Sequence, residues 1–363
     1  MLYDDVSGLS VDIDGYALQR NERATSSGFD RVTTTVVLHG GDETGTGEDV
    51  TYDSEVHDAL QNAPEEFSIT GQYTLEEFST HLSTQALFLG TEPDQSIFRK
   101  YRQWAFESAA LDLALKQAET MLAERLGREY RPVRFVVSTR LDEPPTGDRI
   151  LDWLEQDPTL EFKLDPTSEW TDDTVSRLAE TDAVRVLDLK GQYHGTTVDQ
   201  PADPELYERV IDGFPEALIE DPALTDETRP VFEGHEDSVT WDYPIRSVET
   251  VEDLPWEPTW LNIKPSRFGS LRALFDTLEY CENNDIRMYG GGQFELGVGR
   301  EHLHAIASLF YPESPNDIAP KEYNEPEPSD DLPSSPLAPP SSTRGLAWKY
   351  AEPSSPEPAE HDT

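Results

Sequence analysis

The sequence predicts a βα barrel that follows a smaller α+β unit. Over the C-terminal two thirds of the chain, short apolar runs alternate with helical intervals roughly every 25 residues, and several runs end abruptly in charged residues. Such runs are typical of buried parallel strands whose ends open into a site. The first 95 residues instead contain alternating, β-branched segments followed by helical periodicity, which indicates a separate α+β unit.

Within the α+β unit, residues 1–95, we expect a three-stranded meander plus helices. The glycine-rich stretch 40–47 is interpreted as a turn. It does not match a phosphate-binding loop, because no helix that opens with Lys-Ser or Lys-Thr follows it. The three strands are predicted at 9–18, at 31–39 and near 50–52.

A bridging helix is predicted at 96–130, with Gly127 as its stop signal, and the barrel at 131–320. Seven βα units that close on themselves favour a barrel over an open sheet. The strands are predicted at 133–137, 160–164, 184–189, 217–219, 239–241, 260–263 and 286–289.

The C-terminal segment 321–363 is rich in Pro, Ser and Glu and is expected to be partly disordered. Residues 345–350 interrupt this composition and are predicted to dock as a strand or anchor. The last ten or so residues are expected to be disordered.

The charge and cysteine content of the chain limit the partners and sites that it can have. With 28 basic and 73 acidic residues, the net charge of −45 argues against nucleic acid and anionic membranes as partners. It is the kind of surface that suits a salt-rich cytoplasm, so we expect a halophilic source. Cys281 is the single cysteine, which excludes an intramolecular disulfide and a cysteine-based zinc site. With no targeting or membrane segment apparent, a cytoplasmic location is expected. The oligomeric state stays open, a homo-oligomer included.

The residues just past the predicted strands carry the chemistry, because the C-terminal ends of barrel strands converge on one face. The chain has seven lysines, and three of them fall at strand ends, where a surface role is least expected. The strand-end set is Lys163, Asp165, Asp188, Lys190, Glu220, Asp242, Lys264 and Glu295.

Asp188, Glu220 and Asp242 follow three successive predicted strands, and three carboxylates around one point suit Mg²⁺. A metal there would polarise a carboxylate or carbonyl group of a substrate. Lys163 and Lys264 would act as general bases on either side. This set predicts proton abstraction next to a metal-bound carboxylate. Each acid also has a plainer interpretation, as a helix cap or a salt-bridge partner.

Three segments carry a resemblance to a known family: 106–114 in the bridging helix, 219–222 at a strand end, and 261–271 around Lys264. With them the chain resembles the enolase superfamily, in particular its muconate-cycloisomerase-like branch. The resemblance implies a capping domain and a modified (β/α)7β barrel that acts on a small-molecule carboxylate as a racemase or epimerase, a cycloisomerase or a dehydratase.

The same resemblance implies Mg²⁺ as the cofactor, with Asp188, Glu220 and Asp242 as its ligands. Lys264 would be one acid/base, and Glu295 falls near the family's seventh-strand glutamate. Substrate specificity would come from capping-domain loops, here 19–29 and the region of Asp53.

The chain departs from the family pattern at two strand ends. The second strand usually carries Lys-x-Lys, and here it reads Lys163-Leu164-Asp165. Either Asp165 replaces the catalytic lysine, or the strand is shifted and Lys163 acts. The third strand usually ends Asp-x-Asn, whereas Lys190 takes the last position here. Its ammonium would complete the charge balance of the metal site, bind an anionic substrate, or replace the divalent ion.

Two alternatives to such an enzyme stay open. A catalytically altered barrel that serves as a binding or regulatory protein would explain the missing second lysine and the presence of Lys190. An unrelated barrel hydrolase would use Glu220 and Asp242 as a carboxylate pair. The hydrolase explains the acids but gives the lysines no role.

Overall fold

The structure is a computed structural model that describes residues 1–26, 28–63, 66–89, 91–196, 198–325, 332–340, 344–346 and 348. The N-terminal part holds a two-stranded and a three-stranded antiparallel sheet with short helices. Its elements are α1 (Asp4–Ser7), β1 (Ser10–Ile13), β2 (Gly15–Ala24), β3 (Asp30–Gly40), β4 (Glu43–Asp49), α2 (Ser54–Gln61), β5 (Gly71–Thr74) and α3 (Leu75–Ser83).

The three-stranded meander is present as β2, β3 and β4, but its third strand lies in the glycine-rich stretch that the sequence suggested was a turn. The glycines there let β4 pack directly on the bridging helix. A Cβ at Gly45 would lie 2.1 Å from the Ala109 carbonyl oxygen, and one at Gly47 would lie 2.0 Å from that of Ala105. The prediction of the third strand near 50–52 was therefore wrong. The position of β4 is set by the close packing of its glycine backbone on α4, and not by the strand propensity of its side chains.

The bridging helix α4 (Ile97–Gln117) is buried along most of its length and packs on β3 and β4. It ends at Gln117 and not at Gly127, because Glu119 has a positive φ of 51° and turns the chain. A short helix, α5 (Leu122–Arg125), follows it. The bridging region thus consists of one long and one short helix.

The C-terminal part alternates strands and helices. These elements are β6 (Val137–Thr139), α6 (Asp148–Gln156), β7 (Phe162–Leu164), α7 (Asp172–Ala179), β8 (Val184–Asp188), α8 (Pro204–Gly213), β9 (Leu218–Glu220), β10 (Val239–Trp241), α9 (Val248–Glu252), β11 (Trp260–Ile263), α10 (Pro265–Phe268), α11 (Leu271–Asn283), β12 (Arg287–Gly290) and α12 (Val298–Phe310).

Strands β6 to β12 form one parallel sheet in sequence order, which confirms the predicted βα repeats. The sheet curls, and a short segment after α12 links its two ends. Asn316 bridges to Phe135 beside β6, and Asp317 bridges to Gly291 beside β12. The carboxyl ends of all seven strands consequently point to one side, where the predicted site residues lie.

Part of the C-terminal segment packs on the barrel. Leu337 pairs with Val133, and Leu346 and Trp348 are buried; of the stretch 345–350, predicted to dock, the structure describes 345, 346 and 348. The final ten residues, predicted to be disordered, lie outside the described residues. None of the helices in the described part of the chain has the length and apolar character that a membrane span requires.

A buried ion pair at the base of the N-terminal domain gives the first prediction. Arg102 donates from Nε to Asp49 Oδ2 at 2.7 Å, and both side chains are almost fully buried. Arg102→Met leaves Asp49 buried without its cation, and we expect a loss of about 3–5 kcal/mol in the free energy of unfolding by urea. Arg20→Met breaks an exposed pair with Asp58 and should change stability little. Similar losses for both variants would contradict this account.

A buried carboxyl on α4 gives a pH-dependent prediction. Burial raises the pKa of Glu107 to about 7, although Ser79, Gln103 and the Leu271 amide donate hydrogen bonds to it. The pKa of a glutamate in an unfolded chain is about 4.3. The folded state therefore binds the proton more tightly, and this stabilisation is present at low pH and lost as the pH rises through about 7.

We therefore expect the unfolding free energy of the wild type to fall relative to Glu107→Gln by on the order of 3 kcal/mol between about pH 4 and pH 8. Urea titrations of both proteins at several pH values measure the difference. Parallel pH profiles for the two proteins would refute the role of Glu107.

Candidate active site

The centre of the site is the ammonium group of Lys163. This lysine is the second residue of β7, and it is 1% exposed. Its Nζ lies 2.5 Å from Glu220 Oε1, 3.3 Å from Asp188 Oδ2 and 3.2 Å from Asp317 Oδ2. Asp188 and Glu220 are register partners at the ends of β8 and β9, which brings their carboxylates together. Three strand ends and the segment after α12 therefore meet on one cation.

Lys190 lies just beyond β8 and has a positive φ of 54°. This turn directs its ammonium back to Asp188, with which it forms a short ion pair, and to Asp165 Oδ1 at 3.3 Å. Asp165 also accepts a hydrogen bond from Arg140 Nε at 3.0 Å. The acid at the second strand end and the lysine at the third are thus partners.

Asp242, beyond β10, is surrounded by donors. Arg267 Nη1 lies 2.6 Å from its Oδ1, while Lys264 Nζ at 2.9 Å and the Tyr193 hydroxyl at 2.8 Å both reach its Oδ2. Arg267 Nη2 also donates to the Tyr193 hydroxyl at 3.0 Å. The short helix α10 places Lys264 and Arg267 one turn apart, so both side chains reach the same carboxylate.

Burial and crowding set the charges of this cluster. Burial raises the pKa of Glu220 well above its usual range, and the negative charges of Asp188 and Asp242 add to this shift. Burial also raises the pKa of Asp221 to about 7, although its carboxylate accepts hydrogen bonds from the backbone amides of Asp242 and Tyr243. Burial alone would lower the pKa of Lys163, but Glu220, Asp188 and Asp317 outweigh it, so Lys163 stays an ammonium.

The strand ends open into a cavity of about 460 Å³ between the two domains. In a chain of net charge −45, six basic and two acidic side chains among the described residues line its wall. The basic ones are Arg140, Lys163, Lys190, Lys264, Arg267 and Arg300. Aromatic side chains also line the cavity, and they are Phe29, Tyr52, Phe98, Tyr101, Tyr193 and Tyr243. Such a cavity suits an anion that carries an apolar body.

Phe29 and Tyr52 of the N-terminal domain line the cavity, and they lie in or beside the segments 19–29 and Asp53 that are predicted to set substrate specificity. Phe29 contacts Phe294 with ring centroids 5.5 Å apart, and the Tyr52 hydroxyl donates to Gln293 Oε1 at 3.0 Å. The buried Arg31 donates to the carbonyl oxygens of Gln293 and Phe294 from the other side. These contacts fix the loop after β12 to the N-terminal domain.

The structure brings most of the predicted residues together. Lys163, Lys190 and Lys264 line the cavity, and the three predicted metal ligands lie directly beneath them. Glu295, predicted to be catalytic, instead points to Arg300 and accepts from the Gln293 amide at 2.7 Å.

Sequence reasoning gave no role to Arg267 and Tyr193, which complete the contacts of Asp242. A signal for Arg267 was present, because it lies three residues after Lys264 in the segment 261–271 that carries the family resemblance. For Tyr193 the chain offers no comparable signal, since it follows Lys190 in an irregular loop.

The predicted magnesium ligands do not fit a divalent ion in this arrangement. Asp188, Glu220 and Asp242 each contact at least one protein cation. Within the described ranges, no group of three or more His, Cys, Asp or Glu side chains is placed to hold a metal ion. Mg²⁺ requires near-octahedral oxygen ligands at about 2.0–2.1 Å, which the ammonium groups here would have to vacate.

Comparison with known families assigns the chain. The profile of the N-terminal domain of DUF8230, a domain of unknown function, matches residues 4–125, and the profile of its C-terminal domain matches residues 129–325. The chain belongs to the DUF8230 family. The two halves of this DUF8230 protein meet directly after α5.

Solved structures and one curated sequence are similar to the DUF8230 protein. A muconate cycloisomerase from Pseudomonas fluorescens superposes with a TM-score of 0.63 at 18% identity, over 85% of this chain and 87% of that chain. A dipeptide epimerase from Methylococcus capsulatus, solved in complex with Mg ion, gives 0.65 at 15% identity, over 84% and 89%. An o-succinylbenzoate synthase from Listeria innocua is 36% identical over 80 residues, which are 22% of this chain and 21% of that protein.

These structural matches confirm the resemblance to the enolase superfamily at the level of the fold. The curated synthase matches over only about a fifth of its own length, so its activity is not transferred to the DUF8230 protein by that match.

A glycine beside the cavity gives a prediction about Lys264. A Cβ at Gly291 would lie 2.4 Å from Asn262 Oδ1 and 2.5 Å from Lys264 Cε, so Gly291→Ala must displace the lysine side chain. We expect Gly291→Ala to bind a small carboxylate with an affinity roughly tenfold or more below that of the wild type. The carboxylate is chosen from a panel by thermal shift, and its affinity is measured by calorimetry. Gly15→Ala is the control, because an added Cβ there has no atom within 4 Å. Equal affinities for both variants would argue against Lys264 as a ligand contact.

Proposed function

We propose that the DUF8230 protein is an enzyme of the isomerase or lyase type that removes a proton from the carbon next to a carboxylate in a small-molecule substrate. The cavity carries this proposal. Three basic side chains, Lys190, Lys264 and Arg267, reach it from two strand ends. Basic side chains in a low-dielectric cavity attract a carboxylate far more strongly than they would in water.

The lysines have different roles in this proposal. Lys190 remains an ammonium, because Asp165 and Asp188 raise its pKa against the opposing effect of burial. Lys163, predicted as a base, is likewise held charged among three carboxylates and would act as a fixed positive charge. Arg267 does not lose its proton in proteins. Lys264 is therefore the side chain that we propose to exchange a proton with the substrate.

The step itself follows from these roles. Neutral Lys264 Nζ takes the proton, the C–H bonding pair moves towards the carboxylate, and Lys190 and Arg267 stabilise the negative charge that develops there. Return of the proton by Lys264 to the same face restores the substrate. Protonation of the opposite face by water, whose hydroxide then takes the proton from Lys264, gives a racemised or epimerised product. Expulsion of a leaving group from the neighbouring carbon gives a lyase product. The reaction needs the substrate carboxylate to lie between Lys190 and Arg267, with its α-carbon next to Lys264 Nζ.

Magnesium was predicted as the cofactor, and a bound ion would polarise the substrate carboxylate. Because Asp188, Glu220 and Asp242 hold protein cations in this structure, no step of the proposal depends on that ion. Support for the reaction type comes from the fold, since similar structures include a cycloisomerase and an epimerase.

A second candidate is a binding protein that has kept this fold without its chemistry. The observation that favours it is the ion pair between Asp165 and Lys190, because on one of the two alignments of the second strand Asp165 takes the position of the family's catalytic lysine. Such a protein would bind a carboxylate in the same cavity and exchange no proton with it.

Exchange of α-hydrogens with deuterated water separates the two candidates. Wild-type protein should exchange the α-hydrogen of at least one member of a panel of aryl and alkyl carboxylates, as seen by proton NMR. Lys264→Ala should lose about 10²-fold or more of that rate, because it removes the group that takes the proton. Lys321→Ala, which removes a lysine outside the cavity lining, should keep the rate. Binding without exchange in the wild type would establish the second candidate instead.

A further inference from the structure

The backbone at Lys190 is held in the left-handed region, with a φ of 54°. Asparagine adopts this region more readily than lysine does. A lysine in such a strained position persists where the surrounding structure enforces it, and strained residues cluster at functional sites. Here the strained turn places the ammonium of Lys190 on Asp188 and near Asp165.

Positive charge from the protein surrounds the carboxylates that would otherwise coordinate a metal. Asp188 contacts both Lys190 and Lys163, and Glu220 contacts Lys163 and accepts a short hydrogen bond from the Tyr289 hydroxyl. A divalent ion at Asp188 would lie beside two ammonium groups and would be repelled by both.

We infer that Lys190, together with Lys163, replaces the divalent ion in this chain, so that protein ammonium groups supply the positive charge between the ends of β8 and β9. As a statement about catalysis this inference rests on the proposed function. As a statement about metal binding it rests only on the contacts of Lys190 and Lys163, and it can be tested without any substrate.

The replacement has a geometric reason. A metal ion needs several oxygens to converge on one point, whereas each ammonium donates three separate hydrogen bonds. Lys163 distributes its contacts over Glu220, Asp188 and Asp317, and Lys190 over Asp188 and Asp165. Asp165 therefore has a role that a metal site would not need, because it holds the second ammonium in place.

Lys190→Asn is the decisive variant. Asparagine suits the left-handed backbone, so the variant should fold, which circular dichroism and thermal unfolding check. It also removes one of the two ammonium contacts of Asp188 Oδ2 and leaves the contact with Lys163 Nζ at 3.3 Å. The probe is Mn²⁺, with Mg²⁺ in parallel, titrated by calorimetry and by Mn²⁺ electron paramagnetic resonance. A constant high concentration of potassium chloride suppresses binding to the acidic surface.

We expect no stoichiometric Mn²⁺ site in the wild type, and in Lys190→Asn one site that is roughly tenfold or more tighter than any binding to the wild type. That site should disappear in Lys190→Asn/Asp188→Asn. Lys190→Arg, which keeps the charge, should behave as the wild type does.

One equivalent of Mn²⁺ bound equally tightly by the wild type and by Lys190→Asn would overturn the inference. So would the absence of a site in both proteins, because Lys190 would then not be the group that excludes the ion. Neither result depends on proton exchange, so failure of the proposed reaction and failure of this inference are distinguishable.

Discussion

The ion pairs of Lys163 hold the site together. One buried ammonium joins the ends of β7, β8 and β9 to the segment that links the two sides of the curled sheet. Removing a buried cation from such a cluster leaves several carboxylates without compensation, which is far more costly than losing a surface pair. Lys190 joins the same cluster, because its ammonium and that of Lys163 both contact Asp188 Oδ2.

A second constraint comes from the N-terminal domain, which closes the cavity by holding the loop after β12. Arg31 donates to two carbonyl oxygens of that loop, and Glu48 accepts hydrogen bonds from the amides of Leu296, Gly297 and Gly299 at the start of α12. A carboxylate at a helix N-terminus is favoured by the unpaired amides there. These hydrogen bonds therefore hold the loop after β12, which contributes Gln293 and Phe294 to the cavity lining, against the N-terminal domain.

Much of the fold could be predicted from sequence, because the parallel strands have apolar runs that end in charge. Strand β4 could not, since its glycines carry no strand pattern and are explained only by the close approach of α4. The strand-end residues were found for the same reason as the strands. The contacts between these residues could not be predicted. Whether Lys190 points to Asp188, Glu220 or a ligand depends on a left-handed backbone turn, and a lysine in the sequence does not indicate such a turn. Arg267 was missed because its partner, Asp242, lies on a different strand.

The central claim is that a carboxylate binds among protein cations at the strand ends. A crystal structure of the wild type, grown in magnesium chloride with a small carboxylate that it binds, tests this most directly. The account predicts the ligand carboxylate between Lys190 and Arg267 and its α-carbon beside Lys264, with Lys190 still on Asp188. A magnesium ion coordinated by Asp188, Glu220 and Asp242, with Lys190 turned away, would contradict it.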